Sequence, residues 1–174
     1  LARGRAVFTV GHEMARRYAR VSRNVHPHFA SLVDDAQFER LAALTGKGDP
    51  HRLLYVGRLE AERGHEILFD AMSRLHARGL DVTLDIVGSG PLEDHLRQRA
   101  AAMGISGRVT FHGYVPYGPA LFDLYARSGI FVLPSFSEGF PQVLNEALSV
   151  GLAVVASAVG GIPDVLADRT TAML

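Results

Sequence analysis

The chain has 174 residues, the length of one domain with some extra chain. Hydrophobic residues make up 48%, enough for a buried core, and the formal net charge is zero, without the basic excess that a nucleic-acid partner asks for. Cys is absent, which excludes a disulfide scaffold and a thiolate metal site, and no apolar run approaches the ~20 residues that span a bilayer.

In chain order, Ala6 to Val10 reads as a short buried strand and His12 to Val21 as a polar helix. Asn24 to Ala30 carries Pro27 among aromatic rings, so an extended segment is expected. Gly46-Lys47-Gly48-Asp49-Pro50 is a cluster of breakers and predicts a linker. A regular alternation follows. Strands are expected at Arg52–Val56, Val82–Val87, Val109–Phe111, Ile130–Leu133 and Ala153–Ala156. Helices are expected at Gly64–Gly79, Pro91–Met103, Ala120–Arg127, Pro141–Ser149 and Ile162–Ala167. In the first of these helices Ile67, Leu68, Ala71, Met72 and Leu75 share one face, and in the second Leu92, Leu96 and Ala100 do. The strands are apolar on both sides, as strands buried between two helix layers must be. The fold class is therefore α/β, a doubly wound, mostly parallel sheet of Rossmann-like type.

Ligands of such sheets sit beyond the carboxyl ends of the strands. Five loops lie there. The loop Gly57-Arg58-Leu59-Glu60-Ala61-Glu62-Arg63-Gly64 puts two guanidinium groups beside a helix start, a setting that suits a diphosphate. Pairing of the two Arg with Glu60 and Glu62 is the bland alternative. The loop Gly88-Ser89-Gly90-Pro91 begins like a dinucleotide fingerprint, but Glu93 stands where the third Gly is needed. A tight turn open to a ligand's approach is expected instead. Phe111-His112-Gly113-Tyr114-Val115-Pro116 offers backbone groups to a base, or is an ordinary connection. In the loop Pro134 to Pro141, Glu138 precedes a helix whose start can hold phosphate. Val143, Leu144, Ala147 and Leu148 form that helix's packing face, and Glu146 lies off it, able to reach a ligand or simply solvated. Two carboxylates flanking an anion site suit a nucleotide sugar, which carries hydroxyls on either side of its diphosphate. Gly160-Gly161 permits another close backbone approach, or a plain turn.

The order Tyr55-Val-Gly-Arg-Leu, Ile86-Val-Gly-Ser-Gly-Pro, Phe111-His-Gly-Tyr-Val, Pro134-Ser-Phe-Ser-Glu-Gly-Phe-Pro and Gly160-Gly-Ile-Pro resembles the donor domain of family-4 retaining glycosyltransferases of GT-B fold, from about Leu53 onward. The resemblance implies roles by position. Glu138, Arg58 and Arg63 would be the catalytic group: Glu138 on donor-sugar hydroxyls, the two Arg on the diphosphate. The family usually has Lys at 63. Backbone groups around Gly57, Gly139, Phe140, Gln142 and Val143 would meet sugar and phosphate, Glu146 the ribose, and Tyr114 and Val115 the base. Asp164 stands where Glu is commoner, and Ala172 where Gly is usual. Residues 1–45 would be a remnant of the acceptor domain and interdomain linker, and 50–174 the nucleotide-sugar-binding domain, truncated at its C-terminus.

The implied reaction is retaining transfer of a hexose from a nucleotide diphosphate sugar, here a substrate and not a cofactor. The developing charge would be met by Arg58, Arg63 and the helix start at Pro141. No Asp-x-Asp occurs and the eight His show no zinc-site spacing, so no metal is expected. The acceptor is left open among a lipid, a glycan and a small molecule. The isolated chain is expected to be inactive, because the acceptor site would lie on the other domain. Location is expected to be cytoplasmic, and peripheral membrane association at the inner face, through that domain, is left open. Two rival readings are an NAD-type dinucleotide domain and a non-catalytic relative keeping only the fold.

Overall fold

A computed structural model describes residues 6–28, 35–46, 48–139, 141–164, 166 and 172–174. The chain opens with β1 (Val7–Val10), α1 (Gly11–Tyr18) and β2 (Val25–His28). The two strands pair in parallel, Val7 beside Val25. Helix α1 is shorter than the expected span to Val21: Val21 N–H turns back onto Tyr18 O at 2.9 Å and closes it. Phe29 and Ala30, of the expected extended segment, lie outside the described residues. Helix α2 (Asp35–Ala42) follows, a helix the sequence reading does not assign, and it packs on the helix Gln142–Val150 further down the chain.

The main body is β3 (Asp49–Val56), α3 (His65–Ala77), β4 (Thr83–Val87), α4 (Glu93–Ala102), β5 (Val109–Gly113), α5 (Pro119–Arg127), β6 (Ser128–Leu133), α6 (Gln142–Val150) and β7 (Ala153–Ala156). Its five strands are all parallel in the order β5-β4-β3-β6-β7. Met173 adds a parallel bridge beside Val155, so the edge continues past β7. The chain runs outward from β3 to β5, then returns to the other side of β3 as β6. That reversal puts a topological switch point between β3 and β6. Right-handed crossovers place α3 and α4 on one face and α5 and α6 on the other, in keeping with the contacts of α3 with α4 and of α5 with α6. The fold is the expected Rossmann-like one.

Several local expectations shift. Asp49 and Pro50 belong to β3 instead of the predicted linker, because Pro50 at a strand's start gives up no needed hydrogen bond. Pro91 and Leu92 form a turn ahead of α4, which begins at Glu93. The last helix is a single 3₁₀ turn, Ile162–Asp164, with Val165 and Ala167 outside the described residues. On α3 the buried face is His65, Leu68, Phe69 and Met72, while Ile67 is 51% exposed. The apolar stripe drawn through Ile67 and Ala71 was one position out of phase, because His65 is a core residue. Its ring packs edge-on to Tyr55 at 4.6 Å. The strands are not wholly apolar either: buried Asp85 in β4 is met by Arg52 (3.1 Å), His112 (2.6 Å) and Arg127 (3.2 Å). Among the described residues no helix is long and apolar enough to cross a membrane.

Candidate functional site

The switch point sets two loops side by side, one after β3 and one after β6. They are held together by backbone: Phe136 N–H donates to Glu62 O at 2.8 Å. Gly64, at φ +70° as α3 begins, faces Pro134 O so closely that a Cβ would collide with it. From these two loops come Arg63 and Glu138. Arg63 Nη1 donates to Glu138 Oε1, and buried Ser135 donates its Oγ to the same oxygen at 2.8 Å. Arg63 therefore pairs with the predicted sugar-binding carboxylate and not with Glu62. Its Nε is buried without a partner, which leaves donor capacity on the guanidinium fork.

Gly160, from the loop after β7, comes up beneath Glu138. A Cβ there would run into Glu138 O, and Gly161 N–H donates to Gly139 O at 2.8 Å. The close approach that the glycines permit is thus between one loop and the next. The same holds for Gly88 and Gly90, which face the carbonyls of Gly57 and Leu59. Above these loops opens a cleft of about 960 Å³. Ser137, Glu138, Gly139 and Gly160 line it from the main sheet, and Thr9, Met14 and Arg17 from the β1–α1 unit. Asp164 ties the two units: its Oδ2 accepts the His12 N–H at 2.6 Å.

A second recess, of about 220 Å³, lies along the same edge over β3, β4 and β5. Gly57, Arg58, Ser89, Tyr114 and Val115 line it. Arg58 points outward and pairs with Glu60 at 2.8 Å, as the bland alternative had it, while its carbonyl accepts the buried Tyr55 hydroxyl at 3.0 Å. Burial raises the Tyr55 phenol. Tyr114 is exposed. The structure brings together Gly57, Arg58, Tyr114 and Val115 in one recess, and Glu138 and Gly139 at the cleft, with Arg63 paired to Glu138 behind it. Phe140 lies outside the described residues.

Helix α6 begins at Gln142 after Pro141, with no side chain capping it, and Leu144 N–H is satisfied by Pro141 O at 3.1 Å. Val143 is half-buried and Leu148 is 37% exposed, so the packing face runs through Leu144, Ala147 and Val150 instead. Glu146 is the larger correction. It is not solvated: it is 8% exposed and accepts the Tyr125 hydroxyl on Oε2 at 2.7 Å. Burial raises its carboxyl, against the Tyr125 hydrogen bond, which pulls it down. Sequence reasoning passed over Tyr125 and Ser135. Ser135 had a signal, as a hydroxyl three residues before Glu138. Tyr125 had none locally, since it sits on another helix. Among the described residues no three His, Asp or Glu gather as a metal site would need.

Residues 50–174 match the family model described as Glycosyl transferases group 1. The chain belongs to that family. Within it, the chain is 36% identical over 118 residues to an uncharacterized glycosyltransferase of Methanocaldococcus jannaschii, an alignment covering 68% of this chain and 30% of that protein. It is 30% identical over 162 residues to the alpha-D-kanosaminyltransferase of Streptomyces kanamyceticus, covering 92% of this chain and 41% of that one. Among solved structures, HepE of Anabaena in complex with UDP superposes with a TM-score of 0.75 at 20% identity, over 96% of this chain and 48% of that chain. That likeness shows the fold, that of GT-B glycosyltransferases. The chain spans less than half the length of each of these proteins.

Proposed function

We propose that this chain is the donor-binding unit of a retaining, family-4 hexosyltransferase with two Rossmann-like domains. The observation that carries the reading is the meeting of Arg63, Ser135 and Glu138 at the switch point, beside the uncapped start of α6, in a group 1 glycosyltransferase chain. In this reading the base lies against Tyr114 and Val115 over Gly57, and the ribose hydroxyls reach Glu146. The diphosphate spans Arg58, Arg63 and the first turn of α6, near Gln142 and Val143. The hexose rests on Glu138, with backbone groups of Gly139 and Phe140 around it. The cleft holds the reacting end of the donor, and its opposite wall, Thr9, Met14 and Arg17, faces the acceptor.

The chemistry follows from charge. As the sugar–phosphate bond breaks, the diphosphate gains negative charge. Two guanidinium groups and a helix start stabilise that charge in place, without a metal ion. Arg63 meets Glu138 through one nitrogen only, so its remaining N–H donors can turn to the diphosphate while the pair stays in place. Glu138, held on Oε1 by Ser135 and Arg63, offers its other oxygen to sugar hydroxyls. The Gly88-Ser89-Gly90 turn gives no support to an NAD reading: it follows β4, and its glycines are packed against the neighbouring loop.

Calorimetry with UDP, GDP, ADP and NAD, in the presence of EDTA, tests the proposal. Saturable binding of one nucleoside diphosphate, lost in Glu146→Ala and indifferent to EDTA, is expected. Binding of NAD alone, or of none of the four, would sink the donor-site reading.

A further inference from the structure

We propose that Tyr125 is a positioning residue for nucleotide binding, holding Glu146 by one oxygen so that the other faces the ribose. This inference rests on the donor-site reading above. Tyr125 and Glu146 stand on adjacent helices, α5 and α6, which pack on each other against the sheet. The tyrosine is wholly buried, its ring stacked on Phe131 at a 6.0 Å centroid distance, so its hydroxyl is fixed in direction. That hydroxyl donates to Oε2 at 2.7 Å. Oε1 has no hydrogen bond among the described residues, and it is not among the fully buried atoms left without a partner. It keeps the small exposure that Glu146 has. One oxygen is thus tethered and the other is left unbonded.

The arrangement repeats at the other carboxylate. Ser135, also wholly buried, donates to Oε1 of Glu138, the oxygen that Arg63 also meets, and Oε2 of this cleft-lining residue has no hydrogen bond among the described residues. At each of the two carboxylates a buried hydroxyl spends one oxygen from the protein side. A glutamate held this way loses little rotamer freedom when a ligand arrives, which is how preorganisation raises affinity. The hydroxyl does a second job. Burial pushes the Glu146 carboxyl towards its neutral form, and a neutral carboxyl has one acceptor oxygen fewer for a diol. The Tyr125 hydrogen bond opposes that and keeps the carboxylate charged. Tyr125 is the titratable group acting on Glu146, and Tyr117, on the loop before α5, acts in turn on Tyr125.

Two measurements on the chain, with Tyr125→Phe beside the wild type, decide it. The first is the titration of the Glu146 side-chain carboxyl by carbon-13 NMR, which needs no ligand. The midpoint is expected to rise in Tyr125→Phe; an unchanged midpoint would overturn the proposal. The second is the affinity for whichever of UDP, GDP and ADP the wild type binds tightest, followed from pH 8 to pH 5. Tyr125→Phe should bind about tenfold more weakly, the size expected for a hydrogen bond to a charged group. The deficit should grow as pH falls, and it should vanish in a Glu146→Gln background. An equal loss at every pH, persisting in that background, would make Tyr125 a packing residue only. A wild type that binds no nucleotide would overturn the donor-site reading and this role with it, while the NMR titration would still report the hydrogen bond separately.

Discussion

Glu146 is a buried carboxyl on a helix that begins at the candidate site, and its burial comes at a cost to folding. Its carboxyl is raised above the ordinary glutamate value of 4.5, first by burial, with Tyr125 working against the shift. The sign of the consequence is fixed. A carboxyl with a raised folded pKa holds its proton more tightly in the native state, so stability falls as pH climbs from the unfolded value through the folded one. Glu146→Gln keeps an acceptor for Tyr125 and removes the buried charge. The expected outcome is a gain of about 1 kcal/mol, or about 2–4 °C in melting temperature, fully present at pH 8 and gone at pH 4. Thermal melts at the two pH values check it, and equal melting at pH 8 would count against the burial argument. The same substitution should weaken nucleotide binding, the usual exchange of function for stability. His65 works the other way: burial holds its imidazole down to about 4, against the Glu60 backbone, which raises it, so acid should unfold this corner early.

At the scale of elements, the strands were legible and their partners were not. Apolar runs bounded by Gly and Pro marked all five strands of the main sheet, because buried parallel strands leave no other pattern. The loops that carry Arg63 and Glu138 followed from the strand ends alone. The pairing of Tyr125 with Glu146 did not, since 21 residues and a strand separate them and no local spacing encodes a contact between two helices. Helix α2 was missed because Phe38 and Leu41 give it only a thin apolar stripe, and Phe38 is in fact exposed. Sequence alone leaves glycines such as Gly160 open between ligand approach and a plain turn, and the structure shows that Gly64, Gly88, Gly90 and Gly160 pack against neighbouring loops. Gly160 makes the point testable. It combines φ +57° with a contact against Glu138 O that leaves no space for a methyl group. Gly160→Ala should therefore push the Glu138 turn outward, with about 1–3 kcal/mol of strain to relieve. The expected result is a loss of affinity for the intact donor sugar much larger than for the bare nucleoside diphosphate, read by calorimetry. Equal losses for both would mean that Gly160 supports the whole edge and not the sugar end.

The whole molecule is tied together by contacts that run outside the family-matched segment. Residues 50–174 carry the match, yet Leu41, upstream of it, is fully buried in the same core as Leu144 and Val150. Helix α2 thus acts as a clasp on α6, the helix that presents Gln142 at its start and Glu146 in its second turn. At the other end of the cleft, Asp164 holds the β1–α1 unit through the His12 N–H. Position of the site in this chain is therefore not a property of the five strands alone. Leu41→Ala is expected to cost about 2–5 kcal/mol, the range for emptying a leucine's place in a packed core. Because the cavity opens behind α6, the loss should reach the site as well: nucleotide affinity should fall in the folded protein, and amide exchange should quicken along α6 while β3 and β4 stay protected. Exchange that quickened evenly across the sheet would show a core weakened throughout. Exchange confined to α2, with affinity unchanged, would show that the helix merely covers α6 and does not set where Glu146 stands.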